Sequence, residues 1–253
     1  MVLVHGVRTS HTMWRRQLEA FDLVGRPVVA IDLPGHGTRI AERFSVPASV
    51  DVIAEAIDAL GGRAVVVGES LGGYLGIAHA ARHPDQVAGL VAASCCSVPD
   101  QPATSAWLLA VRGIDRLPDK GAWLNQRLVD VTMPREAGLD VAEGGYAMDV
   151  MEDILIGLRR VDPLADLARI QCPVWLVNGQ WDHFRLQERA YLRAASDARL
   201  VIIRGSNHMV SLVRPVAFNR AVLEALAEVD ARESGELLGA RERPGAHPAD
   251  DPG

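Results

Sequence analysis

Residues 68–72 read Gly-Glu-Ser-Leu-Gly, a G-x-S-x-G pattern between an apolar run at 64–67 and a helix-like stretch at 71–83. A serine on a sharp turn from strand to helix is raised above the sheet, and the flanking glycines let backbone segments pass without a Cβ clash. Free N–H groups at the start of the helix can stabilise a developing negative charge. The pattern therefore predicts a nucleophilic Ser70, and the alternative is a serine that only caps the helix.

Working outward from this turn, short aliphatic runs alternate with helix-like stretches. Such alternation predicts a mostly parallel sheet, and nearly uniform apolar runs are typical of strands covered by helices on both faces. The predicted strands are residues 2–4, 27–31, 64–67, 87–92, 174–177 and 200–203, and the predicted helices include 49–60, 71–83 and 216–227. The fold class is therefore α/β.

The alternation stops between residues 98 and 165, which contain helix-like segments and no convincing strand. We expect this stretch to form a helical cap inserted into a core made of residues 1–97 and 166–230. The aromatic and methionine side chains of the cap could line a pocket or simply pack against one another. Residues 231–253 are dominated by glycine, proline and charge, so we expect a disordered tail there.

The bulk composition excludes several classes of function. A formal charge of -6 gives no electrostatic basis for binding nucleic acid or an anionic membrane. No window approaches the roughly 20 apolar residues of a membrane span, and the first residues lack the basic flank of a signal peptide, so we expect a cytoplasmic protein. Cys95, Cys96 and Cys172 fit neither a disulfide framework nor a metal site. We expect a small-molecule substrate and no metal or organic cofactor, while the oligomeric state is not indicated.

Several segments together resemble the α/β-hydrolase family. GESLGG resembles its nucleophile elbow, VLVHG its H-G oxyanion loop with Trp14 where an aromatic often sits, and DLPGHG the loop after its next strand. The resemblance covers residues 2–93 and about 165–228, but not the cap. It implies the α/β-hydrolase fold, a mostly parallel sheet with helices on both faces and an inserted helical cap. Serine rather than aspartate at the elbow implies acyl chemistry.

A serine hydroxyl needs a hydrogen-bonded base, usually an imidazole held in one tautomer by a carboxylate. His208 lies between the last predicted strand and the final helix, and this fold runs Ser, acid, His along the chain. Asp182 follows the strand at 174–177, where the family places its acid, and neighbouring strands should bring all three groups together. Asp162 and Asp166 are rival acids, although either could instead cap a helix.

By the same resemblance, the backbone N–H groups of Val7 and Leu71 would form the oxyanion hole. Arg8, next to Val7, could pair with a substrate carboxylate or phosphate, or could point to solvent or to a nearby acid. His183 could line the pocket or be an exposed loop residue. Further candidates to line the pocket are the cap residues Trp107, Trp123, Tyr146 and Met148.

The residues and the resemblance predict a serine hydrolase that cleaves an ester-type bond of a small molecule through an acyl-enzyme, as a carboxylesterase or lactonase does. Thioesterases, acyl-transferring cyclases, C–C bond hydrolases, amidases and cofactor-free perhydrolases use nearly the same triad, and the sequence does not separate them. Since fold does not determine function, a receptor without turnover is a further alternative.

Overall fold

The computed structural model describes residues 1–99 and 101–241, and its sheet is parallel throughout, in the order β2-β1-β3-β4-β5-β6. The strands are β1 Val2–Val4, β2 Val29–Ile31, β3 Ala64–Glu69, β4 Val87–Ala93, β5 Val174–Gly179 and β6 Ala198–Ile203. All six predicted strands are present, with shifts only at their ends. In a parallel sheet every strand ends at the same edge, so the loops after β1, β3, β5 and β6 open side by side.

Helices occupy most of the connections between the strands. They are α1 Arg15–Asp22, α2 Val46–Ala59, α3 Leu71–Arg82, α4 Gln101–Ile114, α5 Ala122–Thr132, α6 Arg135–Glu143, α7 Met151–Leu158, α8 Pro163–Leu167, α9 Glu188–Ala194, α10 Val210–Val213 and α11 Pro215–Arg241. The predicted helices correspond to α2, α3 and the first part of α11. The predicted α/β class, a parallel sheet with helices between its strands, is confirmed.

Two apolar cores lie on opposite faces of the sheet, because successive side chains of a strand point to opposite faces. On β3, Val66 packs in the core beneath α2, α3 and α9, whereas Val65 and Val67 pack in the core beneath α1 and α11. The second core also contains Phe218 of α11, which is fully buried. Each such side chain stabilises the fold by roughly 1.5–3 kcal/mol, which holds the strand ends in fixed positions.

The described residues between β4 and β5 contain helices and no strand. We call α4 to α7 the cap. Ion pairs join it to the core, since Arg16 of α1 pairs with Glu136 of α6 and Arg43 pairs with Asp153 of α7. The predicted boundary at residue 165 falls inside α8, and this helix packs against α3 as part of the core.

The tail predicted for residues 231–253 begins within α11. Helix α11 continues past Ala231 to Arg241, because the segment still contains the good helix formers Glu, Leu, Ala and Arg. The rest of the predicted tail, residues 242–253, lies outside the described residues. None of the helices in the described ranges is both long and apolar enough to cross a membrane.

Candidate active site

Ser70 occupies a strained turn between β3 and α3. Its backbone has φ 55° and ψ -112°, a conformation that an L-residue adopts at a cost on the order of 1–3 kcal/mol. A Cβ on Gly72 would lie 2.1 Å from the Val4 carbonyl oxygen, and one on Gly68 would lie 2.2 Å from the Gly72 carbonyl oxygen. The two glycines are therefore needed for close backbone approach, as their place in the motif predicts.

Ser70, His208 and Asp182 form a continuous hydrogen-bonded chain. The Ser70 Oγ lies 3.0 Å from His208 Nε2, and His208 Nδ1 lies 2.9 Å from Asp182 Oδ1. The three residues follow β3, β6 and β5 respectively, so the common edge of the sheet brings together side chains that are far apart in sequence. The structure thus places these three predicted residues in contact.

The environment of Asp182 favours its ionised form. Burial alone would raise the pKa of this carboxyl, but the hydrogen bonds with His208 and from the Phe184 N–H lower the pKa below its usual value. The Phe184 N–H donates to Asp182 Oδ1 over 2.8 Å. An ionised carboxylate can hold His208 with its Nδ1 protonated and its Nε2 free to accept a proton.

The rival acids lie elsewhere and have other partners. Asp162 accepts hydrogen bonds from the backbone N–H groups of Leu164 and Ala165 and caps α8. Asp166 pairs with Arg169 of the same region and with Arg82 of α3. Both therefore have structural roles, and neither contacts His208.

Asp182, His183 and His208 are also close enough to share a metal ion, since one donor atom from each lies within 4.8 Å of the others. Two of these residues already contact each other in the hydrogen-bonded chain. The His183 side chain is 69% exposed, and its ring packs against Phe184 and His208 with centroids 4.6 and 4.9 Å away. We therefore interpret the proximity of these residues as a result of the hydrogen-bonded chain rather than as a metal site.

Glu69 is a feature of the site that the sequence interpretation missed. It lies at the end of β3, fully buried, and it accepts hydrogen bonds from the backbone N–H and hydroxyl of Ser211 in α10. Glu69, which directly precedes Ser70, thus connects the end of β3 to α10, the helix that follows His208. The signal was the charged residue at the end of an otherwise apolar strand.

Replacing Glu69 with glutamine should remove a pH dependence of stability. Burial raises the pKa of Glu69 from 4.5 to about 7, and the Ser211 hydrogen bonds oppose that rise only in part. Folded chains therefore bind more protons than unfolded chains between pH 4.5 and 7, and stability falls as the pH rises through this window. Between pH 4.5 and 7, the free energy of unfolding of wild type should fall by on the order of 3 kcal/mol relative to that of Glu69→Gln.

Urea unfolding at a series of pH values measures this difference. The exposed Glu19→Gln serves as the control and should follow wild type at every pH. Glutamine can keep both contacts, because its carbonyl accepts from the Ser211 N–H and its amide donates to the Ser211 hydroxyl. Identical pH slopes for wild type and Glu69→Gln would show that Glu69 is ionised in the folded protein.

A cavity of about 430 Å³ opens onto Ser70 beneath the cap. Its walls are mostly apolar, with Leu124 and Leu128 from α5 and Met151 from α7. Asn207, beside His208, donates a hydrogen bond of 2.8 Å to the Thr132 carbonyl at the end of α5 and so joins the loop after β6 to the cap. The arrangement suits a small apolar substrate body held over Ser70.

The predicted pocket residues divide into two groups. Arg8, Trp107, Tyr146 and His183 line the cavity, whereas Trp123 and Met148 are not among its lining residues. Trp123 is 68% exposed because α5 turns Leu124 and Leu128 toward the cavity and leaves Trp123 on another face of the helix. The sequence interpretation also missed the cavity residues Val111, Asn125, Thr132, Phe184 and Asn207.

The loop after β1 brings Val7 and Arg8 to the cavity. The Arg8 N–H donates to His36 Nε2 over 3.3 Å, and the Leu33 N–H donates to His5 Nε2 over 3.0 Å. Burial lowers the pKa of His5 to about 3 and that of His36 to about 4, so both rings stay neutral acceptors. Both rings therefore support the loop after β1. Leu71, the other predicted oxyanion donor, is the first residue of α3, where an N–H has no carbonyl partner within the helix.

A family model described as “Alpha/beta hydrolase family” matches residues 1–221. The chain belongs to this family. The predicted membership of the α/β-hydrolase family is therefore confirmed, and so is the prediction that the protein is a hydrolase. Over 250 residues this α/β-hydrolase is 32% identical to a Caulobacter sp. protein named “Putative carbamate hydrolase RutD”, and the match covers 90% of each chain.

Other relatives match this α/β-hydrolase more locally. It is 39% identical over 94 residues to a pimeloyl-acyl-carrier-protein methyl ester esterase of Neisseria meningitidis, which is 35% of this chain and 33% of the relative. Among solved structures, a thermophilic esterase from Thermogutta terrifontis superposes with a TM-score of 0.75 at 24% identity, covering 90% of this chain and 89% of that one. The structural likeness establishes the fold.

Proposed function

We propose that this α/β-hydrolase is a serine hydrolase that cleaves an ester-type bond of a small molecule through an acyl-enzyme. The observation that carries the proposal is the chain from Ser70 through His208 to Asp182 at the mouth of an apolar cavity. Ser70 is the nucleophile, His208 the base and Asp182 the group that orients His208. A carboxylesterase or lactonase is the first choice within this class.

Acylation follows from the contacts of Ser70. Its Oγ attacks the substrate carbonyl carbon while its proton passes to His208 Nε2, 3.0 Å away. The carbonyl oxygen becomes an oxyanion, which the N–H groups of Val7 and Leu71 stabilise. The tetrahedral intermediate then expels the alcohol, which takes the proton from His208, and the acyl group remains on Ser70.

Deacylation repeats the same steps with water. His208 Nε2 takes a proton from a water molecule as the water oxygen attacks the acyl carbonyl carbon. The N–H groups of Val7 and Leu71 again donate hydrogen bonds to the oxyanion that forms. Collapse of this intermediate breaks the bond to the Ser70 Oγ, which recovers its proton from His208. The products are a carboxylic acid and free enzyme.

Carbamate hydrolysis is a second candidate, and a specific observation favours it. The relative that matches over 90% of both chains is named as a carbamate hydrolase. A carbamate presents the same carbonyl to Ser70, with nitrogen on one side. Ser70, His208 and Asp182 can hydrolyse a carbamate by the same steps, without a further residue.

A substrate panel tests the proposal. Matched p-nitrophenyl ester and carbamate, a thioester, a lactone and a vinylogous diketone are offered to wild type and to Ser70→Ala. We expect multiple turnovers of the ester that Ser70→Ala abolishes, and faster turnover of the carbamate would favour the second candidate. If a fluorophosphonate labels Ser70 but no compound of the panel is turned over, both candidate functions are contradicted and a receptor is favoured.

A further inference from the structure

Arg8 is the one Arg, Lys, Asp or Glu among the described residues that line the cavity. Histidines aside, the other lining residues are apolar or neutral. Arg8 directly follows Val7, whose N–H is assigned above to the oxyanion hole. A fixed positive charge therefore lies next to the place where the substrate carbonyl would react.

Among the described residues, none is a hydrogen-bond or ion-pair partner of the Arg8 side chain. Its Nε is buried without a hydrogen-bond partner, and no ion pair joins Arg8 to another residue in the described part of the chain. Asp115, at the end of α4, influences Arg8 only through its charge. Burial lowers the pKa of Arg8, and Asp115 opposes that change. A partly buried charge without a partner costs free energy, and a bound anion would recover it.

The backbone of Arg8 also carries a cost. Its φ is 61°, in the left-handed region where glycine is the favourable residue. The hydrogen bond from the Arg8 N–H to His36 Nε2 holds this conformation. An arginine in a strained position, without a side-chain partner among the described residues and lining the same cavity as Ser70, fits a role in binding rather than in stability.

We propose that Arg8 binds a carboxylate of the substrate, so that the enzyme acts on anionic esters with an apolar body. The inference rests on the proposed function and names its substrate class. A guanidinium donates two parallel hydrogen bonds to a carboxylate, and the apolar walls from Trp107 to Leu128 accommodate the rest of the molecule.

Two pairs of esters test the charge preference and the position of the charge. Mono-p-nitrophenyl succinate against p-nitrophenyl butyrate places the carboxylate on the acyl side, and 4-carboxyphenyl acetate against phenyl acetate places it on the leaving group. In one pair, wild type should prefer the anionic ester in kcat/KM. The preferred pair identifies which side of the substrate faces Arg8.

Replacing Arg8 with glutamine should lower that preference by about 10- to 100-fold, the effect of losing hydrogen bonds to a charged group. Arg8→Lys should retain part of it, because lysine keeps the charge without the paired geometry. Arg135→Gln, an exposed arginine of the cap, is the matched control and should retain the full preference.

The outcomes separate this inference from the proposed function. Ester hydrolysis that persists in Ser70→Ala would contradict the proposed function. Hydrolysis that depends on Ser70, but with an anion preference that is absent or unchanged in Arg8→Gln, would overturn the role of Arg8 alone.

A stability measurement gives an independent readout. Arg8→Gly removes the charge and relieves the positive φ, so its Tm should rise by about 2–4 °C while the anion preference is lost. A fall in Tm would show that the Arg8 side chain is a structural contact, which would overturn the inference.

Discussion

Ser70→Ala should lower kcat for p-nitrophenyl acetate by about 10⁴- to 10⁶-fold, the range expected when a triad nucleophile is removed. The Ser70 Oγ is the atom that reaches His208 Nε2, and the alanine variant leaves no hydroxyl in that position. KM should change little, because the cavity walls and the backbone donors of Val7 and Leu71 remain. Steady-state kinetics on purified wild type and variant measure both constants.

The control for this prediction is Ser196→Ala, a serine after α9 that does not line the cavity. It should keep wild-type kcat within about two-fold, as surface changes away from a site usually do. A Ser70→Ala variant that retains a tenth or more of the wild-type rate would show that another group performs the reaction.

Asp182→Asn should lower kcat by about 10⁴-fold, the size of effect seen when a triad carboxylate becomes an amide. The Asp182 Oδ1 faces His208 Nδ1 and also accepts from the Phe184 N–H. An amide in this place presents either a neutral oxygen, which loses the charge that stabilises protonated His208, or an N–H group, which forces the wrong tautomer. The volume is unchanged, so the fold should be retained.

The two rival acids provide matched controls. Asp162→Asn and Asp166→Asn should each leave kcat within about two-fold, and Asp162→Asn should cost at most about 1 kcal/mol because asparagine also caps helices well. Urea unfolding measures the cost, and kinetics measure the rate. A large loss of kcat in Asp166→Asn, with Asp182→Asn fully active, would contradict the assignment of the acid.

The sheet and the elbow were predictable because each depends on local chemistry. A short β-branched run such as 64–67 is typical of a parallel strand that helices cover on both faces. Gly68 and Gly72 mark two points of the elbow where a Cβ would clash with the backbone of another residue. Once the sheet is parallel, the positions of Asp182 and His208 follow from the ends of β5 and β6.

The walls of the cavity were harder to predict, because they depend on how the cap helices turn. Trp123 was a candidate to line the cavity, yet α5 leaves it 68% exposed and turns Leu124 toward the cavity instead. The contact between Glu69 and Ser211 joins residues on different elements, and no spacing in the sequence marks it. Such features depend on tertiary packing rather than on periodicity.

The most direct test of the central claim is the reaction of the enzyme with a fluorophosphonate, followed by intact-protein and peptide mass spectrometry. We expect one equivalent of label on Ser70, none on Ser70→Ala, and much slower labelling of His208→Ala, because the serine loses the base that activates it. Loss of p-nitrophenyl acetate hydrolysis should follow the extent of labelling. A label on another residue, or hydrolysis that continues after Ser70 is fully modified, would contradict the claim that Ser70 is the nucleophile.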